Sequence, residues 1–270
     1  MDTLLEKLRR VIKEDSPNIN PKGRIDLTTP PSHPRVSFPF PDITPYAQVL
    51  DRENLAKRLD LPAELIKREI SKQTDVSSSH KGVCQVTPVY LVTNSHAGSH
   101  ADQPSHWLAK PPFNSFDYRQ YSGLATVFDL TGYLQKDKAI TQRIIEEHAE
   151  STKTDLKRIG RLVVRTYHKT PTEWDSNFAY LSIQAANFLG RLPNLVLFAT
   201  DAPSVDHPEA SPIHERAHGG LWTGRVAIIE GYESDKLPKR RKTNGVIETT
   251  LLKTPGVNDA HYAVISFYPI

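Results

Sequence analysis

The segment His96-Ala97-Gly98-Ser99-His100-Ala101-Asp102-Gln103-Pro104-Ser105-His106 places three histidines and one aspartate within eleven residues. Neutral imidazole and carboxylate are donors that borderline-soft divalent ions such as Zn²⁺ and Mn²⁺ accept. Gly98 permits a sharp turn and Pro104 stiffens the exit. His96 and His100 are four apart, His100 and Asp102 two apart, a spacing that suits a tight loop wrapped around an ion better than a helix. Any one of these histidines alone reads as a surface residue. The set, punctuated by Gly and Pro, reads as a metal site. A second run, His214-Glu215-Arg216-Ala217-His218, fits the H-E-x-x-H helix of zinc peptidases. It lies between Pro212 and Gly219-Gly220, so the long helix that motif needs is not supported, and the extended form of the motif does not follow.

These residues must be positioned by the rest of a 270-residue chain, which is long enough for a sizeable core. A 38% hydrophobic and 24% charged composition fits a folded soluble protein. The net charge of +3 gives no case for a nucleic-acid partner. Cys84 is the single cysteine, which rules out an intrachain disulfide framework and a cysteine-based zinc site. The charged N-terminus MDTLLEKLRRVIKED lacks a signal-peptide core, and no run of about 18 apolar residues occurs, so the expected location is the cytoplasm with no membrane span.

Leu4, Leu5, Leu8, Val11 and Ile12 give residues 1–15 a helical stripe, and eight prolines between Ser16 and Pro45 make a loop-rich arm with a strand near Arg24 to Leu27. A charged helical stretch is expected from Asp51 to Lys72. Strands are expected at Val83 to Val92, Ala125 to Leu130, Arg161 to Thr166, Leu195 to Thr200, Arg225 to Ile229 and His261 to Phe267, with helices at Thr141 to Ala149 and Ser182 to Leu189. This alternation favours an α/β architecture in one domain spanning 1–270, with the helix and Pro-rich arm in 1–50. Lys239-Arg240-Arg241-Lys242 reads as a solvated loop and Cys84 as core.

The run His-x-Gly-Ser-His-x-Asp-x-Pro-x-His resembles the signature of the cyclase-type metal hydrolases, which include kynurenine formamidases and isatin hydrolases, with Ser99 where Thr is usual. Asp26-Leu27-Thr28, Asp201-Ala202-Pro203-Ser204-Val205-Asp206, and His218 followed by Glu230 resemble further family segments in the same order. The resemblance implies mixed sheets around a barrel-like core with flanking helices, of the swivelling β/β/α type, assembled as a homodimer or homotetramer. It implies that His96, His100 and Asp102 hold a first Zn²⁺ or Mn²⁺, that Asp102 bridges to a second held by His218 and Glu230, and that His106 transfers protons. Phe38, Trp107 and Tyr167 are candidate substrate contacts, Tyr167 standing where the family usually has Gly. Glu230-Gly231-Tyr232 departs from the commoner Glu-Asn-Leu, where substrate choice would be set.

The expected activity is hydrolysis of an amide C–N bond in a small molecule, an N-formyl aryl amide of tryptophan catabolism or a cyclic amide. The alternatives are a lactone hydrolase or cyclase of the same family, an H-E-x-x-H zinc peptidase, and a metal-binding module without catalysis.

Overall fold

A computed structural model describes residues 23–29, 48–50, 90–92, 95–107, 116–134, 138–171, 174–207, 209, 216–253 and 259–270, with backbone alone at 48–50, 90–92 and Trp107. The expected helices at 1–15 and 51–72, most of the Pro-rich arm, Phe38, Cys84 and His214 lie outside the described residues.

The elements in chain order are β1 (Ile25–Asp26), β2 (Gln48–Leu50), β3 (Tyr90–Val92), β4 (His100–Asp102), α1 (Pro104–Trp107), β5 (Gly123–Asp129), β6 (Ala139–Ile140), α2 (Gln142–Ser151), β7 (Arg161–Arg165), β8 (Tyr180–Leu181), α3 (Ile183–Gly190), β9 (Leu197–Thr200), α4 (Ala217–Thr223), β10 (Ala227–Glu230), β11 (Lys242–Leu252) and β12 (Ala260–Pro269). Thr141 and Ser182 cap α2 and α3, each accepting a backbone N–H of the first turn.

Seven strands close into a barrel in the order β12-β11-β5-β7-β9-β10-β4, with β4 returning to β12. Strands β5, β7, β9 and β10 run parallel, while β4, β11 and β12 join antiparallel. One edge of β12 serves two partners: Ala260 to Tyr262 pair with β4, Ser266 and Phe267 with β1. The expected mixed sheet with a barrel-like core is thus present.

Register decides which side chains fill the barrel. Ala101, Ile229, Ala199, Val163 and Val127 stand opposite one another across successive strands and are buried. Their alternates on β11, Asn244 and Glu248, are exposed, so the Ala101 level faces inward. Arg161, 0% exposed, closes one end by donating to the carbonyls of Gln120 (2.9 Å) and Arg119 (2.8 Å). Strands β7, β9 and β10 are buried on both faces, as parallel strands under helices are.

Two expectations change. Lys242 begins the longest of the described strands instead of ending a loop. Its Nζ reaches Thr152 O at 3.2 Å, and Arg241 reaches Tyr133 and Ser151, so half of the basic run pins β11 to α2. Gly219 and Gly220 do not end the helix near His218; α4 runs through both, and at Gly220 it packs backbone-close on α3. A Cβ on Gly220 would lie 2.8 Å from Asn187 N and 2.9 Å from Ala186 C. Gly220→Val should therefore destabilise the protein by about 1–3 kcal/mol, the usual cost of overpacking, read as a lowered midpoint in thermal denaturation. No described helix is long and apolar enough to cross a membrane.

Candidate metal centre

The motif folds as a turn, a strand and a helical turn, not as a single loop around an ion. Gly98 turns the chain at φ 74°, where a Cβ would be strained. Ser99 then anchors the strand start: its Oγ donates to Ala263 O (2.7 Å) and accepts from Thr29 N (3.2 Å), so the hydroxyl is the feature that matters at this position. Strand geometry, period two, puts His100 and Asp102 on one face while Ala101 points into the barrel. Glu230 pairs with His100 in register, so it shares that outer face. Pro104 opens α1, where its missing N–H costs nothing, and α1 carries His106.

Asp102 is the hub. It is 0% exposed. Its Oδ1 lies 3.2 Å from His96 Nδ1 and 3.4 Å from His100 Nε2, and its Oδ2 lies 2.9 Å from His218 Nε2. Glu230 completes the set, with Oε2 3.4 Å from His100 Nε2 and Oε1 3.7 Å from His218 Nε2. The His106 ring stands 4.2 Å from His96 and 5.5 Å from His218, partly open to solvent. Two donor groups result, His96/Asp102/His106 and His100/Asp102/Glu230, each with ligand atoms within 4.8 Å of one another and with Asp102 shared. Phe38 lies outside the described residues, as does the Trp107 side chain. Tyr167 follows β7, its N–H on Asp201 Oδ2 (3.3 Å) and its carbonyl on Arg165 Nε (3.0 Å).

The donor set fits a divalent ion. His100 Nε2 and Asp102 Oδ1 are buried and make no hydrogen bond although they face each other. Leaving such atoms unsatisfied costs about 1–3 kcal/mol each. His100 Nδ1–H donates to Gly98 O at 3.0 Å, which turns the Nε2 lone pair toward the carboxylates.

Electrostatics follow from crowding these groups in a dry place. Burial alone would raise Asp102, but His100, His218 and His96 hold it well below the carboxylate range. Burial and the Asp102 charge together push Glu230 up. Burial opposes protonation of His96 and His218, yet Asp102 with Asp259 raises His96 to about 10, and Asp206 with Asp102 raises His218. His106 goes the other way: burial lowers it to about 4, with Asp102 opposing and the other imidazoles adding to the drop. It is therefore neutral at pH 7 and able to accept a proton.

The loop from Asp201 to Asp206 aims the distal pair. Asp201, 0% exposed, accepts Thr166 N–H (2.9 Å), Thr166 O–H (2.6 Å) and Ser234 O–H (2.5 Å), tying together the ends of β7 and β9 and the loop after β10. Val205 N–H then donates to Glu230 Oε1 at 2.6 Å, and Asp206 Oδ2 accepts His218 Nδ1–H at 2.8 Å. Asp206 Oδ1 also receives His218 N–H at 3.4 Å, serving the first turn of α4 that Arg216 leaves without a side-chain cap. Gly231 sits at φ 70°, and Tyr232 is 1% exposed with its hydroxyl on Val164 O (2.6 Å), so the departure at these positions belongs to the core and not to an open pocket.

Residues 25–207 match the Cyclase family, described as "Putative cyclase". The chain belongs to the cyclase family. This cyclase-family chain is 28% identical over 162 residues to a kynurenine formamidase of Sphingopyxis alaskensis, across 58% of this chain and 71% of that protein. It is 28% identical over 159 residues to a kynurenine formamidase of Maricaulis maris, across 57% and 69%. Isatin hydrolase A from Labrenzia aggregata, solved with benzyl benzoate, shares its fold with a TM-score of 0.62 at 15% identity, covering 92% of this chain and 94% of that one.

Proposed function

We propose that this cyclase-family protein is a metal-dependent hydrolase of an amide C–N bond, with N-formyl aryl amides as its first substrate class and cyclic aryl amides as its second. The observation that carries this reading is the convergence of three imidazoles and Glu230 on a buried Asp102 whose Oδ1 makes no hydrogen bond. The kynurenine formamidase relatives support the amide class.

His96, His100, Asp102, His218 and Glu230 would hold the cation or cations. A bound divalent ion supplies Lewis-acid polarisation of a carbonyl and makes water acidic near neutral pH. The protein's own part is to move protons and exclude bulk solvent. Neutral His106 accepts the proton of the attacking water on a ring nitrogen and returns it to the departing amine nitrogen. His100 and Asp102, nearly inaccessible, keep the polar groups in a low-dielectric pocket where they act strongly on developing charge.

The peptidase alternative is disfavoured by geometry. Arg216, at φ −105° and ψ 141°, is extended, and α4 begins only at Ala217, so no helix carries the H-E-x-x-H spacing back from His218. The decisive experiment strips the protein with a chelator, reloads it with Zn²⁺ or Mn²⁺, and offers N-formylkynurenine, isatin, an aryl lactone and a casein peptide. Hydrolysis should vanish on stripping, return on reloading, and favour the two amides. Metal uptake with turnover of none of the four would leave a binding module in place of an enzyme.

A further inference from the structure

The cluster's two outer histidines each stand between two carboxylates, His218 by hydrogen bonds and His96 at ion-pair distances. The His218 ring lies between Asp102 on Nε2 (2.9 Å) and Asp206 on Nδ1 (2.8 Å). The His96 ring lies between Asp102 on Nδ1 (3.2 Å) and a carboxylate from a different part of the chain, Asp259 Oδ2, on Nε2 (3.4 Å). Asp259 is itself held at both ends. Ser95 Oγ donates to the same Oδ2 at 2.9 Å, and the Asp259 carbonyl accepts Gln103 N–H at 2.8 Å, the residue next to Asp102. Asp259 thereby spans the motif, holding Ser95 just before it and Gln103 within it.

An imidazole that is to ligate a cation must present a bare nitrogen, and which nitrogen is bare is set by the acceptor that takes the other N–H. Gly98 O makes that choice for His100 and Asp206 for His218, leaving Nε2 inward in both. We infer that Asp259, whose Oδ2 stands at an ion-pair distance of 3.4 Å from Nε2 and short of a hydrogen bond, is the positioning residue for His96, the acceptor placed to take its Nε2–H when Nδ1 is drawn onto a cation, so that His96, unlike His100 and His218, ligates through Nδ1. The inference rests on the metal-centre reading above and adds to it a residue outside the motif and a mixed pattern of ligating nitrogens. Loss of such an outer partner typically weakens metal affinity about 10–100-fold.

The test uses the full chain loaded with Zn²⁺. Long-range ¹H–¹⁵N spectra of wild type should show two histidines metallated on Nε2 and one on Nδ1, the last assigned by its loss in His96→Gln. Asp259→Ala should weaken Zn²⁺ affinity about 10–100-fold in chelator competition and erase the Nδ1 signature, with Asp259→Asn, which keeps an acceptor oxygen, intermediate. Asp259 is 45% exposed, so neither substitution opens a core cavity, and the melting temperature of the metal-free variants should stay at the wild-type value. Wild-type spectra with His96 metallated on Nε2, or unchanged affinity in Asp259→Ala, would overturn the inference while leaving the centre intact. Failure of wild type to take up Zn²⁺ would overturn the metal-centre reading itself, and this inference with it.

Discussion

Asp102→Asn should bind divalent ions more weakly by over about 10³-fold, beyond the 10–100-fold range for an outer partner, and its hydrolytic rate should fall to background. The carboxylate shares its two oxygens among His96, His100 and His218, and it joins both donor groups. An amide in its place carries no charge and must aim an NH₂ at one of these nitrogens, putting a donor where an acceptor stood. Among the described residues the nearby carboxylates are already engaged: Glu230 Oε1 by Val205 N–H at 2.6 Å, Asp206 by His218, Asp259 by Ser95, and Asp201 by Thr166 and Ser234. Metal analysis after dialysis, with circular dichroism to check the fold, reads the effect. Wild-type metal content in Asp102→Asn would show that Asp102 is not the hub.

His106→Ala should keep its metal and lose about 10²–10⁴-fold in turnover, the usual worth of a positioned proton-transfer group. His106 is the member of the cluster carried by α1, and it is partly open to solvent. One of its nitrogens also lies within 4.8 Å of the His96 and Asp102 donors, so the geometry alone would let it ligate. The two roles separate cleanly: a ligand takes metal content down with activity, a proton carrier takes activity alone. pH adds a second readout. Burial lowers His106 below the ordinary imidazole value of 6.5, so at saturating metal the acid limb that belongs to this ring should lie below pH 6.5 and be missing in His106→Ala. Loss of bound metal in His106→Ala would move His106 into the ligand set.

The motif announced its own chemistry because imidazole and carboxylate at close spacing have few other reasons to gather. What it did not reveal was shape. His100 and Asp102, two apart, suit a tight loop as well as a strand, and the register with β10 that settles the matter comes from residues far along the chain. Asp259 had no local mark at all, since its contacts to Ser95, His96 and Gln103 all cross the closing seam of the barrel. The parallel strands β7, β9 and β10 were legible as apolar runs because both of their faces are buried. Strand β11 was not: its exposed residues Asn244, Glu248 and Thr250 interrupt the apolar pattern, its first residue sits in a basic run, and Gly245, which a Cβ would drive against Phe267, looks like a turn residue out of context. Gly219 and Gly220 misled in the same way: the helix runs through both, and Gly220 marks a close helix contact.

Strand β4 hydrogen-bonds to β10 on one side and to β12 on the other, and both are made long after it. At about 5–20 residues per second, a ribosome spends on the order of ten to thirty seconds between Asp102 and Ala260. Through that interval the imidazoles of the motif are tethered to a nascent chain with no frame to set their distances. Secure capture of a cation must therefore wait for the final strand to dock, and translation products that stop short of it should carry the whole motif yet fail to retain metal.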